Sequence, residues 1–287
     1  MRVIIFPGSF AALALRRPQW AAASERLRIR RCGVLGKKAA DRAYRFIKGS
    51  LDLFYRKYGL EGLEKLPDEA VILVGNHSQA HGPLVGELRL PFPRKTWCAS
   101  EMMERDQVAA YAYRDFWSQA PGWTHPFYKA LSHAIVPLSV LLFNHAETIP
   151  VYRDSRVLST FRDTVRSLEA GTSVLIFPEH DRRCNQILDD FQDHFIDTAR
   201  LFYRRTGKAP AFVPMYICPA LRRVCFGEAV RFDPTAPIEA ERARIKAELT
   251  ARITALAEAL PRHKVVPYRP QPKKNWPYNR PKEAKNP

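Results

Sequence analysis

The chain has 287 residues, 46% hydrophobic and 26% charged, enough for one large domain with a buried core and too apolar for disorder throughout. Forty-six Lys and Arg against 29 Asp and Glu leave a net charge of +17, which calls for an anionic partner such as nucleic acid, an anionic bilayer or a phosphorylated substrate. The five cysteines, odd in number and without Cys-x-x-Cys spacing, exclude a disulfide frame or a Cys-ligated zinc site and read as reduced thiols.

Val3 to Leu15 is mostly apolar and precedes Arg16-Arg17, the reverse of the charge order of a secretory signal. It is also shorter than the ~20 residues a spanning helix needs. An interfacial anchor and an over-long start of translation are the two readings of this stretch. Residues 1–38 are expected as a basic leading segment, 39–262 as the main domain and 263–287 as a tail. Thirteen basic residues lie between Arg16 and Lys57, and eight more from Arg262 to Pro287 against the single acid Glu283, so the cations concentrate at both ends.

From Ala39 to Tyr58, Ala43, Phe46, Ile47, Leu51, Phe54 and Tyr55 recur at helical steps opposite Arg42, Arg45, Lys48, Arg56 and Lys57. This predicts an amphipathic helix, packed on the domain or facing a membrane. Ala70 to Gly75 is a continuous apolar run suited to a buried parallel strand, as are Ser173–Phe177 and Ala211–Ile217. Helical spacing covers Ser159–Glu169, Asp190–Tyr203 and Glu239–Leu260. The tail, with prolines at 267, 270, 272, 277, 281 and 287, is expected to be extended and loosely held. Strands alternating with helices predict an α/β fold, a mixed, largely parallel sheet layered by helices. Ligand sites of such sheets lie beyond the carboxyl ends of the strands.

Two titratable clusters fall there. Asn76-His77-Ser78 with His81 follows the first strand run, and Pro178-Glu179-His180-Asp181-Arg182 follows the second. Polar groups at that density are costly to bury unpaired, so they are candidate walls of one cleft.

Four ordered blocks then resemble the glycerolipid acyltransferase family. Val74-Gly-Asn-His-Ser78 is similar to its first block, Asn-His followed by four residues and Asp. Thr148-Ile-Pro-Val-Tyr-Arg153 is similar to the second. Leu175-Ile-Phe-Pro-Glu179 with Arg182 is similar to the third, Phe-Pro-Glu-Gly-Thr-Arg, and Phe212-Val-Pro-Met-Tyr216 to the fourth. The resemblance implies acyl transfer from a coenzyme A or acyl-carrier-protein thioester to a glycerol-phosphate or lysophospholipid hydroxyl, with no bound cofactor or metal. His77 would be the general base. Arg153 and Arg182 would hold phosphate, Glu179 would position the acceptor, and Asn76, Ser78, His81, Pro178 and His180 would line the site.

The blocks also depart from the family. Gly82 stands where the Asp that orients the imidazole is expected, and His180-Asp181 replace Gly-Thr. Asp181 or Glu179, from across the cleft, is therefore expected to orient His77, with His81 and His180 completing the polar network. A register resembling the condensation-type acyltransferases also leaves His77 as the base. Two other readings are a metal hydrolase using His77 and His81 with Glu179, His180 and Asp181, and an inactive lipid-binding relative. Without a base-reading or stacking motif beside the charge, no nucleic-acid partner is expected. Such an enzyme is expected at the cytoplasmic face of the membrane. Its basic ends would meet anionic lipid, and Tyr111, Tyr113, Phe116, Trp117, Trp123, Phe127 and Tyr128 would supply interfacial rings.

Overall fold

Alternation of side chains along short apolar strands builds the core. In a computed structural model, which describes residues 34–118 and 120–281, β2 (Ile72–Gly75) lies between β5 (Ser173–Ile176) and β8 (Ala211–Cys218), parallel to both. Ile72 aligns with Val174 and Phe212, so like residues stack across three strands. Ile72, Val74, Val174, Ile176, Phe212 and Tyr216 enter one core; Val71, Leu73, Leu175, Val213, Met215 and Ile217 enter another on the opposite face. Both faces of these strands are covered, which is why their sequences read as unbroken apolar runs.

The sheet extends on one side through β3 (Arg94–Ala99) and β4 (Thr148–Val151), both parallel to β5. On the other side β8 pairs antiparallel with β9 (Arg223–Phe226) and β10 (Val230–Arg231), and β1 (Gly59–Glu61) runs parallel to β9 at the edge. The order is β4-β3-β5-β2-β8-β9-β1, a mixed, largely parallel sheet as expected.

Eight α-helices are described: α1 (Val34–Phe54), α2 (His81–Arg89), α3 (Val108–Ala112), α4 (His125–Ala134), α5 (Val136–His145), α6 (Val157–Glu169), α7 (Asp197–Thr206) and α8 (Ile238–Ala259). Phe161, Val165 and Leu168 of α6, and Ile245, Leu249, Ile253 and Ala257 of α8, are buried at helical spacing. Gly207, at φ 71°, closes α7 in the left-handed conformation that glycine adopts without strain.

Three expectations change. The first helix runs 34–54 rather than 39–58, and part of its apolar stripe is not covered: Phe54 is 82% exposed, and Phe46 and Leu53 nearly as much. The helix expected from Asp190 begins at Asp197. Phe191 has helical spacing to Phe195, but Asp189–Phe191 forms strand β7, which pairs antiparallel with β6 (Glu179–Arg183).

The tail differs most. Its described part, to Pro281, is pinned rather than loose. The N–H of His263 donates to Asn279 Oδ1 (2.8 Å), the N–H of Asn279 to the His263 carbonyl (3.1 Å) and the N–H of Val265 to the Pro277 carbonyl (2.8 Å). Asn279 Nδ2 donates to the Ala257 carbonyl at the end of α8 (2.8 Å), and His263 Nε2 lies 2.8 Å from the Tyr216 hydroxyl of β8. Proline leaves only a short 3-10 helix (Lys273–Asn275) and one bridge (Lys264 with Tyr278) here, yet Val265, Val266 and Pro267 still bury apolar surface. The apolar stretch Val3–Leu15, Cys32 and residues 282–287 lie outside the described residues.

Among the described residues no single helix is long and apolar enough to cross a membrane. The pair Gly122–Ala134 and Val136–His145, bent by 46°, passes that test only when taken together.

Candidate active site

Three strand ends converge on one edge. His77 follows β2, Glu179 follows β5 and Arg153 follows β4, and these strands are parallel, so all three fall on the carboxyl side of the sheet.

The segment after β2 is a strained turn. Ser78 and Gln79 take φ values of 46° and 57°, consecutive left-handed residues that are not glycine. Such conformations cost about 1–3 kcal/mol each and persist where surrounding bonds over-determine them. Those bonds are present. Asn76, 2% exposed, donates through Nδ2 to the Ile217 carbonyl (3.0 Å) and to Ser78 Oγ (2.7 Å), while its Oδ1 accepts from the Ile217 N–H (2.7 Å). The His81 and Gly82 N–H groups donate to the Ser78 and His77 carbonyls, starting α2. Asn76 and the buried Ser78 thus tie the turn to β8.

Glu179 is 5% exposed and holds the same turn from the other side. Its Oε2 accepts from the backbone N–H of His77 at 2.5 Å and its Oε1 from the backbone N–H of Asp189 at 3.1 Å. Burial pushes its carboxyl up to about 7, against the lowering effect of those two donors. The expected pairing of Glu179 with the imidazole is replaced by pairing with the backbone.

The His77 ring itself packs against two aromatic side chains. Phe177 meets it edge-on with centroids 5.3 Å apart, and Tyr268 from the tail does the same at 5.3 Å on an interplanar angle of 72°. Nδ1 is buried with no hydrogen-bond partner among the described residues. Burial pushes the imidazole down to about 4, against weaker raising effects from the backbone of Gln79 and of His77 itself. His77 is therefore in its free-base form at neutral pH.

Gly82 explains the missing carboxylate. A Cβ there would lie 2.4 Å from the His77 carbonyl oxygen and 3.0 Å from the Phe177 ring. No side chain fits where the family's Asp is expected.

The remaining candidates are placed as follows. His81 Nδ1 lies 3.0 Å from the Tyr55 hydroxyl, beside the stacked Tyr55–Tyr58 pair, and burial lowers its pKa. Pro178 is buried, and its carbonyl accepts from the Gln192 N–H (2.9 Å). His180 Nε2 is 3.3 Å from Asp190 Oδ2, and Arg182 is exposed. Asp181 is in β6, and its side chain lies outside the described residues. Arg153 Nε is 3.6 Å from Glu101 Oε1, and with Asp115 it acts electrostatically on the half-buried phenols of Tyr111 and Tyr268. Tyr268, a residue that no motif singled out, meets the His77 ring and lies within electrostatic reach of Glu179 and Arg153. Among the described residues no group of three His, Cys, Asp or Glu is placed to hold a metal ion.

No protein-family model matches the chain, and no curated protein matches it significantly in sequence. In structure it is similar to the 1-acyl-sn-glycerophosphate (LPA) acyltransferase PlsC from Thermotoga maritima, at 14% identity and a TM-score of 0.43, over 83% of this chain and 88% of that one. A likeness at that level describes the path of the chain and carries no statement about the reaction.

Proposed function

We propose that this chain is a membrane-surface acyltransferase that moves a fatty acyl group from a coenzyme A or acyl-carrier-protein thioester to a glycerol-phosphate or lysophospholipid hydroxyl. The observation that carries the reading is His77: a free-base imidazole on the carboxyl edge of the sheet, held by Glu179 through its backbone and followed by a strained turn. In this reaction the acceptor O–H gives its proton to the imidazole as its oxygen attacks the thioester carbonyl. The tetrahedral adduct then expels thiolate, which leaves as thiol with the imidazolium proton. A base with a low pKa is always ready but pulls weakly. An acceptor phosphate bound by Arg153 would bring negative charge towards the ring and favour the imidazolium as it forms.

Support for the membrane setting comes from surface chemistry. Phe46, Leu53 and Phe54 on α1, with Phe116, Trp123 and Phe127 around α4, are exposed in a strongly basic chain. Apolar side chains flanked by cations suit an anionic lipid surface at the cytoplasmic face.

The test is transfer of labelled acyl from coenzyme A and acyl-carrier-protein thioesters to glycerol-3-phosphate, lysophosphatidic acid and other lysolipids, with vesicles present. Acyl ester formed on at least one phosphorylated acceptor is the expected result. No product with any acceptor, alongside retained vesicle binding, would leave the inactive lipid-binding relative as the better reading.

A further inference from the structure

The described tail is a strap with both of its ends fastened. His263 and Asn279 bond each other, Asn279 bonds the end of α8, and His263 meets Tyr216 of β8. Between the fastenings, buried Val265, Val266 and Pro267 lead directly to Tyr268. Its ring closes one side of the His77 imidazole while Phe177 closes another, at equal centroid distances of 5.3 Å. The Tyr268 phenol lies among the charges of Asp115, Glu179, Arg269 and Arg153. The space beside His77 that would admit a carboxylate from position 82 is already filled by the Phe177 ring and the His77 carbonyl.

We propose that Tyr268 is a positioning residue of the His77 site: the strap delivers its ring so that packing fixes the imidazole, where the family this chain resembles uses a carboxylate. A carboxylate orients an imidazole through a hydrogen bond and stabilises its cation. Two aromatic edges orient it by shape alone, and they keep water away. The consequence for the reaction, which rests on the acyltransferase reading, is that the strap sets the geometry of proton transfer.

The experiment measures the His77 titration in histidine-labelled full-length protein by NMR, assigned with His77→Asn, for wild type, Tyr268→Phe, Tyr268→Ala and Tyr268→Leu. The titratable groups around the ring are Glu179 from β6 and Tyr268 itself, and the Phe variant keeps the first while removing only the hydroxyl of the second. Wild type and Tyr268→Phe are expected to titrate well below 6.5, and Tyr268→Ala to move up towards that ordinary value. In transfer assays Tyr268→Ala should lose ~10²-fold in kcat with little change in the thioester KM, as misplacement of a base does, while Tyr268→Phe stays close to wild type. Tyr268→Leu, which keeps apolar bulk without an aromatic edge, serves if the Ala variant does not fold, and should move in the same direction. A wild-type His77 titrating at about 6.5, or an unshifted titration and kcat in the Ala or Leu variant, would overturn the proposal. Absence of transfer by wild type would count against the acyltransferase reading alone, because the NMR arm still decides the packing role.

Discussion

The carboxylate of Glu179 accepts the backbone N–H of His77 at 2.5 Å, so the acid that follows one central strand holds the chain, and not the ring, of the histidine that follows its neighbour. The two side chains are thereby built into one edge of the sheet, Glu179 buried and His77 half-buried, each shifted away from its charged form.

Their shifts have opposite consequences for stability. The His77 pKa falls from 6.5 to about 4 on folding, so its contribution is complete above 6.5 and is lost as pH falls towards 4. That of Glu179 rises from 4.5 to about 7, so its contribution is complete below 4.5 and is lost as pH rises towards 7. Each is roughly 3 kcal/mol across its window and they offset each other where the windows overlap. Urea unfolding at pH 4.5, 5.5 and 6.5 should show Glu179→Gln gaining stability with pH relative to wild type, and His77→Asn losing it. Parallel curves for all three proteins would contradict the burial of this pair.

Gly82 should tolerate no side chain. Gly82→Ala places a methyl 2.4 Å from a backbone oxygen, which cannot swing aside as a flexible side chain could. A loss of about 1–3 kcal/mol is expected in urea unfolding, with Gly82→Asp at least as severe. An unchanged midpoint for the Ala variant would show that the turn has room for the missing Asp.

Asn76 joins the turn to β8 through both the N–H and the carbonyl of Ile217. Asn76→Ala leaves the buried Ile217 N–H unpaired, at about 1–3 kcal/mol, and its carbonyl with only the long bond from Ser78 Oγ (3.5 Å). Asn76→Asp keeps the acceptor and loses the donor, so it should fall between wild type and the Ala variant. Thermal unfolding of the three proteins checks that order.

The exposed apolar residues of α1 make a surface prediction. Replacing Phe46, Leu53 and Phe54 together by Ser should abolish flotation with anionic vesicles and leave the urea midpoint within ~0.5 kcal/mol of wild type, since these side chains are largely solvated. Unaltered flotation would remove α1 from the lipid-facing surface.

What could be read from the sequence was what local pattern decides. The runs at 70–75, 173–177 and 211–217 are strands because both of their faces are covered, and the spacing of Phe161, Val165 and Leu168 is a helix because one face is. The positions of His77, Glu179 and Arg153 at strand ends follow from the same strands. Pattern failed where tertiary pairing overrode it: Phe191 keeps helical spacing but joins a hairpin, and the stripe through Phe46 and Phe54 is apolar without being buried. Tyr268 was beyond reach for another reason. Its contact with His77 spans most of the chain, and its neighbours are the prolines that mark a loose tail. The one local signal was Val265-Val266-Pro267, an apolar cluster inside a basic, proline-rich stretch.

The central claim, that His77 acts as a base kept neutral by aromatic packing, is tested most directly by the pH dependence of kcat/KM for acyl transfer, with His77→Ala measured beside wild type. The free enzyme should lose activity only as pH falls towards about 4, staying level through 6.5, and His77→Ala should lose at least ~10²-fold. An acid limb near 6.5, or His77→Ala retaining wild-type rates, would contradict it.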